Sequence, residues 1–368
     1  MKIGTRGSEL ALWQAHFTHD LLKQTTGIDA EIITIKTAGD RDLVTPLPEM
    51  SGKGFFTKEI EEALLDGRID LAVHSLKDLQ TQMPPGLEIG AVPARADRRD
   101  VLLIRPEAYE RSKPLRLRQN VRVGTSSARR IAQLRFLRPD IEVESLRGNV
   151  PTRVRKLREG RYDAILVAAA GLDRLQLALD DLIAYRLPEQ LIVPAPGQGA
   201  LAVQVRTGDG KTRAHVEKMD QPTLRRNVAL EREILSRLEG GCQLALGTAA
   251  DETESGLRLT VFLGTDDPRR PRRIIVAGHE FDPVVGAAVN YLTGVAKPRS
   301  EQGPTSVWIT REPQRAEEFR RLCDERRFTV SAISVFMAIE AGSTSEQNEV
   351  MKRLASYDWV FFTSQVTV

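Results

Sequence analysis

His74-Ser75-Leu76-Lys77-Asp78 closes an apolar run that begins at Leu71, and it sets an ammonium beside a carboxylate. Open α/β sheets bind ligands beyond the carboxyl ends of their strands, so a Lys-Asp pair there reads as site chemistry. The alternative is a strand leaving the core with Lys77 and Asp78 in water. A second set of candidates is rich in arginine. Residues 121–130 run from strand through Gly124-Thr125-Ser126-Ser127 into a helix that opens with Arg129 and Arg130. Hydroxyls, free N–H groups and the positive helix end converge there on one anion, and the guanidiniums add two forks. Ser126 or Ser127 can also cap the helix, and both uses can hold together. Residues 141–146 read as a strand closed by Arg147, with Arg153 on the helix that follows. Residues 163–168 read as a third strand, with Arg174 beyond it. Three strands that each deliver arginine past their carboxyl ends point to an anion cleft rather than to a solvated edge. Arg6 and Ser8 occupy a further strand-to-helix turn, a natural anion site. Lys53 stands between two glycines in the Pro/Gly-rich loop 46–54, which would bring it close to a ligand if that loop covers the site.

Cys242 lies in Leu238-Glu239-Gly240-Gly241-Cys242-Gln243. The glycines stop a helix and leave the thiol little steric cover. A lone cysteine is commonly a small buried hydrophobe, but this setting also suits a nucleophile or an attachment point. His74 is available for Cys–His hydrolysis, yet no third group orients it, and a peptide substrate leaves the arginines unused. A tethered, highly anionic group uses everything: Cys242 as anchor, Arg6, Arg129, Arg130, Arg147, Arg153 and Arg174 as partners, Asp78 as the working acid. A carboxylate among cations stays ionised, so it can stabilise a developing cation and carry protons.

The elements that must position these groups follow from composition and periodicity. A chain of 368 residues is too long for one core. Lys plus Arg is 53 and Asp plus Glu 50, a net +3 that argues against a general nucleic-acid or membrane-surface binder. Cys242 and Cys323 are too few for a disulfide framework, and five scattered histidines offer no metal spacing. Charges fall where a signal peptide needs an apolar run, and no stretch is long enough to cross a bilayer; a cytoplasmic location is expected. Helical spacing of Leu10, Trp13, Phe17 and Leu21 predicts a first helix buried on that stripe. Further strands are expected at 31–37, 87–92 and 200–206. The Pro/Gly connector 192–199 followed by a lone strand predicts a return crossing into the first domain. A helix at 222–238, strands at 248–264 and 273–278 and a helix at 283–292 complete a smaller unit. The expected class is α/β: two periplasmic-binding-protein-like α/β domains with a cleft, a small α+β third domain and an incomplete α/β C-terminal segment. The boundaries are 1–96 plus 195–218 for the domain with Asp78 and the loop, 97–194 for the arginine-rich domain, 219–296 for the domain of Cys242, 297–305 for a linker and 306–368 for the last segment.

LAVHSLKD, VGTSSARR, SLRGNVPTR, APGQGALAVQ and LEGGCQ, in this order after an opening GTRGSELALWQAH, resemble the porphobilinogen deaminases, also called hydroxymethylbilane synthases. The resemblance spans roughly the first 300 residues. It implies a transferase that joins four porphobilinogen units head to tail, releases ammonia each time, and yields hydroxymethylbilane for porphyrin and haem biosynthesis. It implies a dipyrromethane cofactor held by a thioether at Cys242, and Asp78 as the catalytic residue. Cofactor contacts carry over to Ser75, Lys77, Thr125, Ser126, Ser127, Arg129, Arg130 and Arg147. Substrate contacts carry over to Arg6, Ser8, Lys53, Arg153 and Arg174. A monomer without metal, nucleic acid or membrane is implied. Gln80 stands where proline is common, Leu244-Ala245 replaces Val-Pro, and Glu49 stands where some members carry lysine.

VWITREP (307–313) and YDWVFFTS (357–364) resemble the opening of uroporphyrinogen-III synthase, the next enzyme of tetrapyrrole synthesis. That match covers only the start of such an enzyme, so its activity is not expected here; the readings are a non-catalytic remnant of a bifunctional fusion with such a synthase, coupling to one, or an appendage without catalytic role. For the whole chain, a non-catalytic anion-binding module is the competing reading. It accounts for the arginines and leaves Cys242 and Asp78 unexplained.

Overall fold

The apolar run at the centre of the first domain is buried on both faces. β3 (Leu71–Ser75) sends Leu71 and Val73 into one core with Ile3, Leu22, Val203 and Val205, and Ala72 into another with Ile60, Leu64 and Ile69. This period-two division is what a central strand covered by helices requires. The computed structural model describes residues 1–37, 57–238, 244–254 and 256–294 and two later strands; Glu49, Lys53, Cys242, Cys323 and the stretch 357–364 lie outside the described residues. The chain divides into two compact units, Met1–Val295 and Ala296–Val368.

The first sheet contains β1 (Lys2–Thr5), β2 (Glu31–Thr34), β3, β4 (Leu87–Ala91) and β10 (Leu201–Arg206), in the order β2-β1-β3-β10-β4. β1 runs parallel to β2 and β3, while β10 is antiparallel to both its neighbours. α1 (Glu9–Thr26) follows β1, capped by Ser8, whose side chain accepts from the Ala11 amide. Its buried face is Gln14, Ala15, Thr18 and Leu22, not the stripe of larger apolar residues expected from the spacing. Small residues let the helix lie close on the sheet. Trp13 and Phe17 stack on each other instead, 5.4 Å between centroids, and Trp13 stays 37% exposed. α2 (Lys58–Leu65) covers the other face, burying Ile60 and Leu64.

The second sheet repeats the plan. β5 (Asp100–Ile104), β6 (Arg122–Gly124), β7 (Glu142–Glu144), β8 (Ala164–Ala168) and β9 (Ile183–Arg186) are ordered β7-β6-β8-β5-β9. β6 is parallel to β7 and β8, so the three arginine-bearing turns leave one edge; β5 is antiparallel to both its neighbours. β9 had no counterpart in the sequence reading. α3 (Ala128–Leu137), α4 (Val150–Arg158) and α5 (Ala169–Leu175) follow β6, β7 and β8. In each sheet the fourth strand is the one the chain enters after crossing over. The crossings pair with each other through an Arg95–Ala200 bridge and an Ala96 amide that donates to the Gly199 carbonyl at 3.0 Å.

α6 (Gly210–Val216) follows β10; α7 (Pro222–Arg237), a sheet of β11 (Leu246–Thr253), β12 (Gly256–Leu263) and β13 (Arg272–Gly278), and α8 (Phe281–Thr293) build a smaller core around Ile234, Leu259, Val261 and Val285. The stretch 248–264, read above as strand, is a hairpin; it re-enters at Gly256, whose φ of 108° suits glycine. Glu231, fully buried, pairs with Arg95 through two 2.9 Å bonds and accepts from the Gly197 amide at 2.8 Å, tying α7 to both crossings. In the second unit β14 (Ser306–Ile309) pairs in parallel with β15 (Thr329–Ala332). Among the described residues no helix is long and apolar enough to cross a membrane.

Candidate active site

β3 ends in a one-turn 3-10 helix, Leu76–Asp78. Leu76 and Leu79 are both buried. Residues three apart eclipse in such a turn, so burying this pair leaves Lys77 and Asp78 pointing out, and both are exposed. Arg6, Ser8, Gln14, His74, Ser75 and Asp78 line one cavity at this strand end. Ser75 accepts from Gln14 Nε2 at 2.9 Å, which fixes its hydroxyl against α1. Behind it, Gln204 donates to Glu61 at 3.1 Å and offers its Oε1 to His74 Nε2, also at 3.1 Å. Burial pushes the His74 pKa down to about 4, partly countered by the Gln204 bond. A neutral His74 is therefore a wall of the cavity, not its acid.

Lys77 keeps surface in the cleft, yet the surrounding walls withdraw bulk water and lower its pKa to about 8. Asp78 and Asp100 pull it up, while Arg130 and Arg129 push it down. The second sheet's edge thus reaches the same space as the first sheet's acid. Arg153, on α4, shows this too. Burial lowers its pKa to about 10, with Arg130 and Arg147 acting the same way and Asp78 opposing them. Its Nε donates to the Gly148 carbonyl at 2.7 Å, leaving the fork for the cleft.

Arg129 and Arg130 are less available. Both close on Asp100 at the start of β5, each at 2.7 Å, and Gln198 Nε2 adds a 2.9 Å bond. Burial alone would raise the Asp100 pKa; the two guanidiniums outweigh it and hold the carboxyl well below its usual range. Ser126 is committed as well. Its hydroxyl accepts from the Leu146 amide and lies 2.9 Å from Ser145 Oγ, stitching the β6 and β7 loops. Thr125 is buried and accepts from the Ser127 amide at 3.3 Å. Ser127 occupies the N-cap position of α3 without a side-chain cap bond. Arg147 offers its carbonyl to Lys156 Nζ at 3.0 Å. Arg174 donates to the Gly199 carbonyl at 2.7 Å and covers the Trp13 ring at 5.4 Å, and burial lowers its pKa to about 10. Its Nε is buried without a hydrogen-bond partner.

The structure therefore gathers Arg6, Ser8, Ser75 and Asp78 in one cavity and brings Lys77, Arg130, Arg147 and Arg153 into its field. Lys53 and Cys242 lie outside the described residues. Asp100, Gln198 and Gln14 were missed. Asp100 ends a charged run that reads as a break between domains, and Gln14 is a polar residue on a helix judged by its apolar ones.

The family model described as porphobilinogen deaminase, dipyromethane cofactor binding domain, matches residues 1–214. The porphobilinogen deaminase of Geobacter sulfurreducens is 42% identical over 283 residues, 77% of this chain and 87% of the relative. That of Brevibacillus brevis is 44% identical over 281 residues, 76% of this chain and 89% of the relative. Among solved structures, the periplasmic VFT2 domain of Bordetella pertussis BvgS aligns with 60% of this chain and 86% of its own, at 16% identity and a TM-score of 0.36.

Proposed function

Because this chain belongs to the porphobilinogen deaminase family, we propose that its cleft performs that family's reaction with Asp78 as the catalytic group and Cys242 as the cofactor anchor. The enzyme is a transferase: it condenses porphobilinogen units head to tail, four to each hydroxymethylbilane, with loss of ammonia. The observation that carries the assignment of roles is the setting of Asp78, an exposed carboxylate at the end of β3 among cations from both sheets.

The residues fit a dipyrromethane. Each of its rings carries carboxylates, and the cleft holds two cations with lowered pKa values, Lys77 and Arg153; Arg174, past the end of β8, has a buried Nε without a hydrogen-bond partner. Carboxylates meet the needs of all three. A dipyrromethane held through Cys242 sulfur would supply a free pyrrole position for chain growth. Arg147, Arg153 and Lys77 would hold carboxylates of the cofactor, and Arg6 and Ser8, which line the cavity of Asp78, would orient the incoming unit. Asp78 lies in the field of these cations. It faces the positive charge that develops on the substrate as ammonia departs, and its oxygen takes the proton shed when the new carbon–carbon bond is complete. Ser75, held by Gln14, fixes the near wall, while Arg129 and Arg130 act mainly through Asp100. Lys53, Thr125, Ser126 and Ser127 complete the assignment, the last three shaping the anion-binding turn.

Residues 1–96 with 195–218, 97–194 and 219–296 form three domains in this reading, with 297–305 as linker. Residues 306–368 are read as the start of a uroporphyrinogen-III synthase-like unit, for which the two sequence stretches are the support. Coupling to such a synthase and a cytoplasmic setting belong to the same reading.

Intact mass tests the assignment. The purified chain should carry a dipyrrole adduct that is absent from Cys242→Ala. Asp78→Asn should keep an adduct supplied during refolding, while turnover drops about 100-fold or more. An unmodified chain with full activity, or normal turnover in Asp78→Asn, would sink it. An anion-binding module would show neither adduct nor product.

A further inference from the structure

α7 passes beneath the turn that bears Asp78. Arg232, on α7, donates through Nη1 to the carbonyls of Leu76 at 3.1 Å and Leu79 at 3.0 Å, and through Nη2 to the carbonyl of Gln80 at 2.5 Å. These three carbonyls bracket Asp78. The Leu76 carbonyl also accepts the Leu79 amide at 3.2 Å, whereas the Leu79 and Gln80 carbonyls lie past the turn; one planar guanidinium binds all three.

The other arginines of α7 behave differently. Arg225 pairs with Asp220, Arg226 with Glu252 and Arg237 with Glu233. Among the described residues no carboxylate pairs with Arg232. Burial alone lowers its pKa, to about 10. A cation withdrawn from water without an anion is costly, so its placement against backbone carbonyls calls for a return beyond stability. α7 ends at Arg237, five positions before Cys242. The helix that grips the catalytic turn is therefore the one that precedes the anchor cysteine in sequence.

We infer that Arg232 is a positioning residue that fixes the Asp78 turn on α7, the helix that precedes Cys242 in sequence. This rests on the roles proposed for Asp78 and Cys242. Misplacing a catalytic group by about 1 Å costs on the order of 100-fold in rate without a new contact to substrate. The effect should fall on kcat, since Arg232 touches backbone rather than ligand.

The test uses the full chain as holoenzyme, with kcat expressed per adduct-bearing molecule. Arg232→Gln should assemble the adduct by intact mass and keep KM for porphobilinogen within about twofold, while kcat falls about 10- to 100-fold. Arg232→Lys, which keeps the charge and some of the donors, should recover part of that loss. A residue that only stabilises the fold would lower the melting temperature and the adduct-bearing fraction but leave kcat per adduct intact; that result, or a loss confined to KM, overturns the inference. Should Arg232→Gln not fold, Arg232→Lys decides: a several-fold fall in kcat at constant KM supports positioning, and wild-type kcat overturns it. Normal turnover by Asp78→Asn would instead bring down the underlying assignment, so the two failures are distinct.

Discussion

Asp78 and Asp100 lie at strand ends of two sheets with the same order and directions, and the charge of each is felt by Lys77. They are nonetheless different kinds of carboxylate. Asp100 is fully buried, and Arg129, Arg130 and Gln198 occupy its oxygens. Asp78 is exposed at the tip of a one-turn helix held by two buried leucines. An acid whose lone pairs are all engaged has no capacity to take a proton in a reaction. An acid facing the cleft does. The second sheet has spent its aspartate on fixing two arginines; the first has left its aspartate for the ligand.

Exchanging each carboxylate for its amide puts that contrast at risk. Asp78→Asn should lose about 100-fold or more in turnover with little change in melting temperature. Asp100→Asn should lose about 3–5 kcal/mol of stability, because two buried guanidiniums remain without their anion. Turnover and thermal unfolding measured on both variants decide the matter. A stable Asp100→Asn, or an Asp78→Asn that unfolds early while retaining turnover, would erase the distinction. The folded Asp100 pKa is depressed, so its contribution is present above the unfolded value near 3.8 and is lost as pH falls below it.

A second acid-sensitive group belongs to the first sheet. His74 has a folded pKa of about 4, below the ordinary histidine value of 6.5. The unfolded chain therefore binds the extra proton between those values. Stability from this group is complete above 6.5 and declines as pH falls toward 4, by about 3 kcal/mol in all. Denaturant unfolding at several pH values should show that decline in the wild type and a flatter profile in His74→Gln. Equal slopes for the two proteins would mean that His74 is not the group responsible, and that the first sheet owes its acid sensitivity elsewhere.

Local pattern explains what could be read in advance. The apolar run into Lys77-Asp78 and the Gly-Thr-Ser turn into Arg129-Arg130 are contiguous, and the hydrogen-bonding of a strand end needs nothing more distant. The arginine edge was legible for the same reason, since parallel strands align their carboxyl ends. Partnerships across the chain were not. Gln198 meets Asp100 over 98 positions, and Gln14 meets Ser75 over 61. The face of α1 was misjudged because large apolar residues were counted, whereas Ala15 and Thr18 set how close the helix can lie. β9 alternates half-buried and exposed residues over four positions, too short a signal to separate from a loop. Arg232 is one of four arginines in α7, and only its neighbours tell it from the rest.

The smallest effect expected concerns Lys77, and it separates the lysine of the first sheet from the arginines of the second. Its pKa is lowered to about 8, whereas Arg153 remains protonated up to about 10. Raising the pH through 8 should therefore discharge Lys77 before Arg153. The side chain is exposed, so its pairing with a substrate or cofactor carboxylate is worth no more than about 1 kcal/mol, or about fivefold in KM. KM for porphobilinogen should rise by that much between neutral pH and 9, and Lys77→Arg should flatten the rise because a guanidinium does not discharge there. High salt should shrink the same step, since screening acts most on exposed pairs. A rise of equal size in Lys77→Arg would assign the titration to another group and leave the two edges alike in this respect.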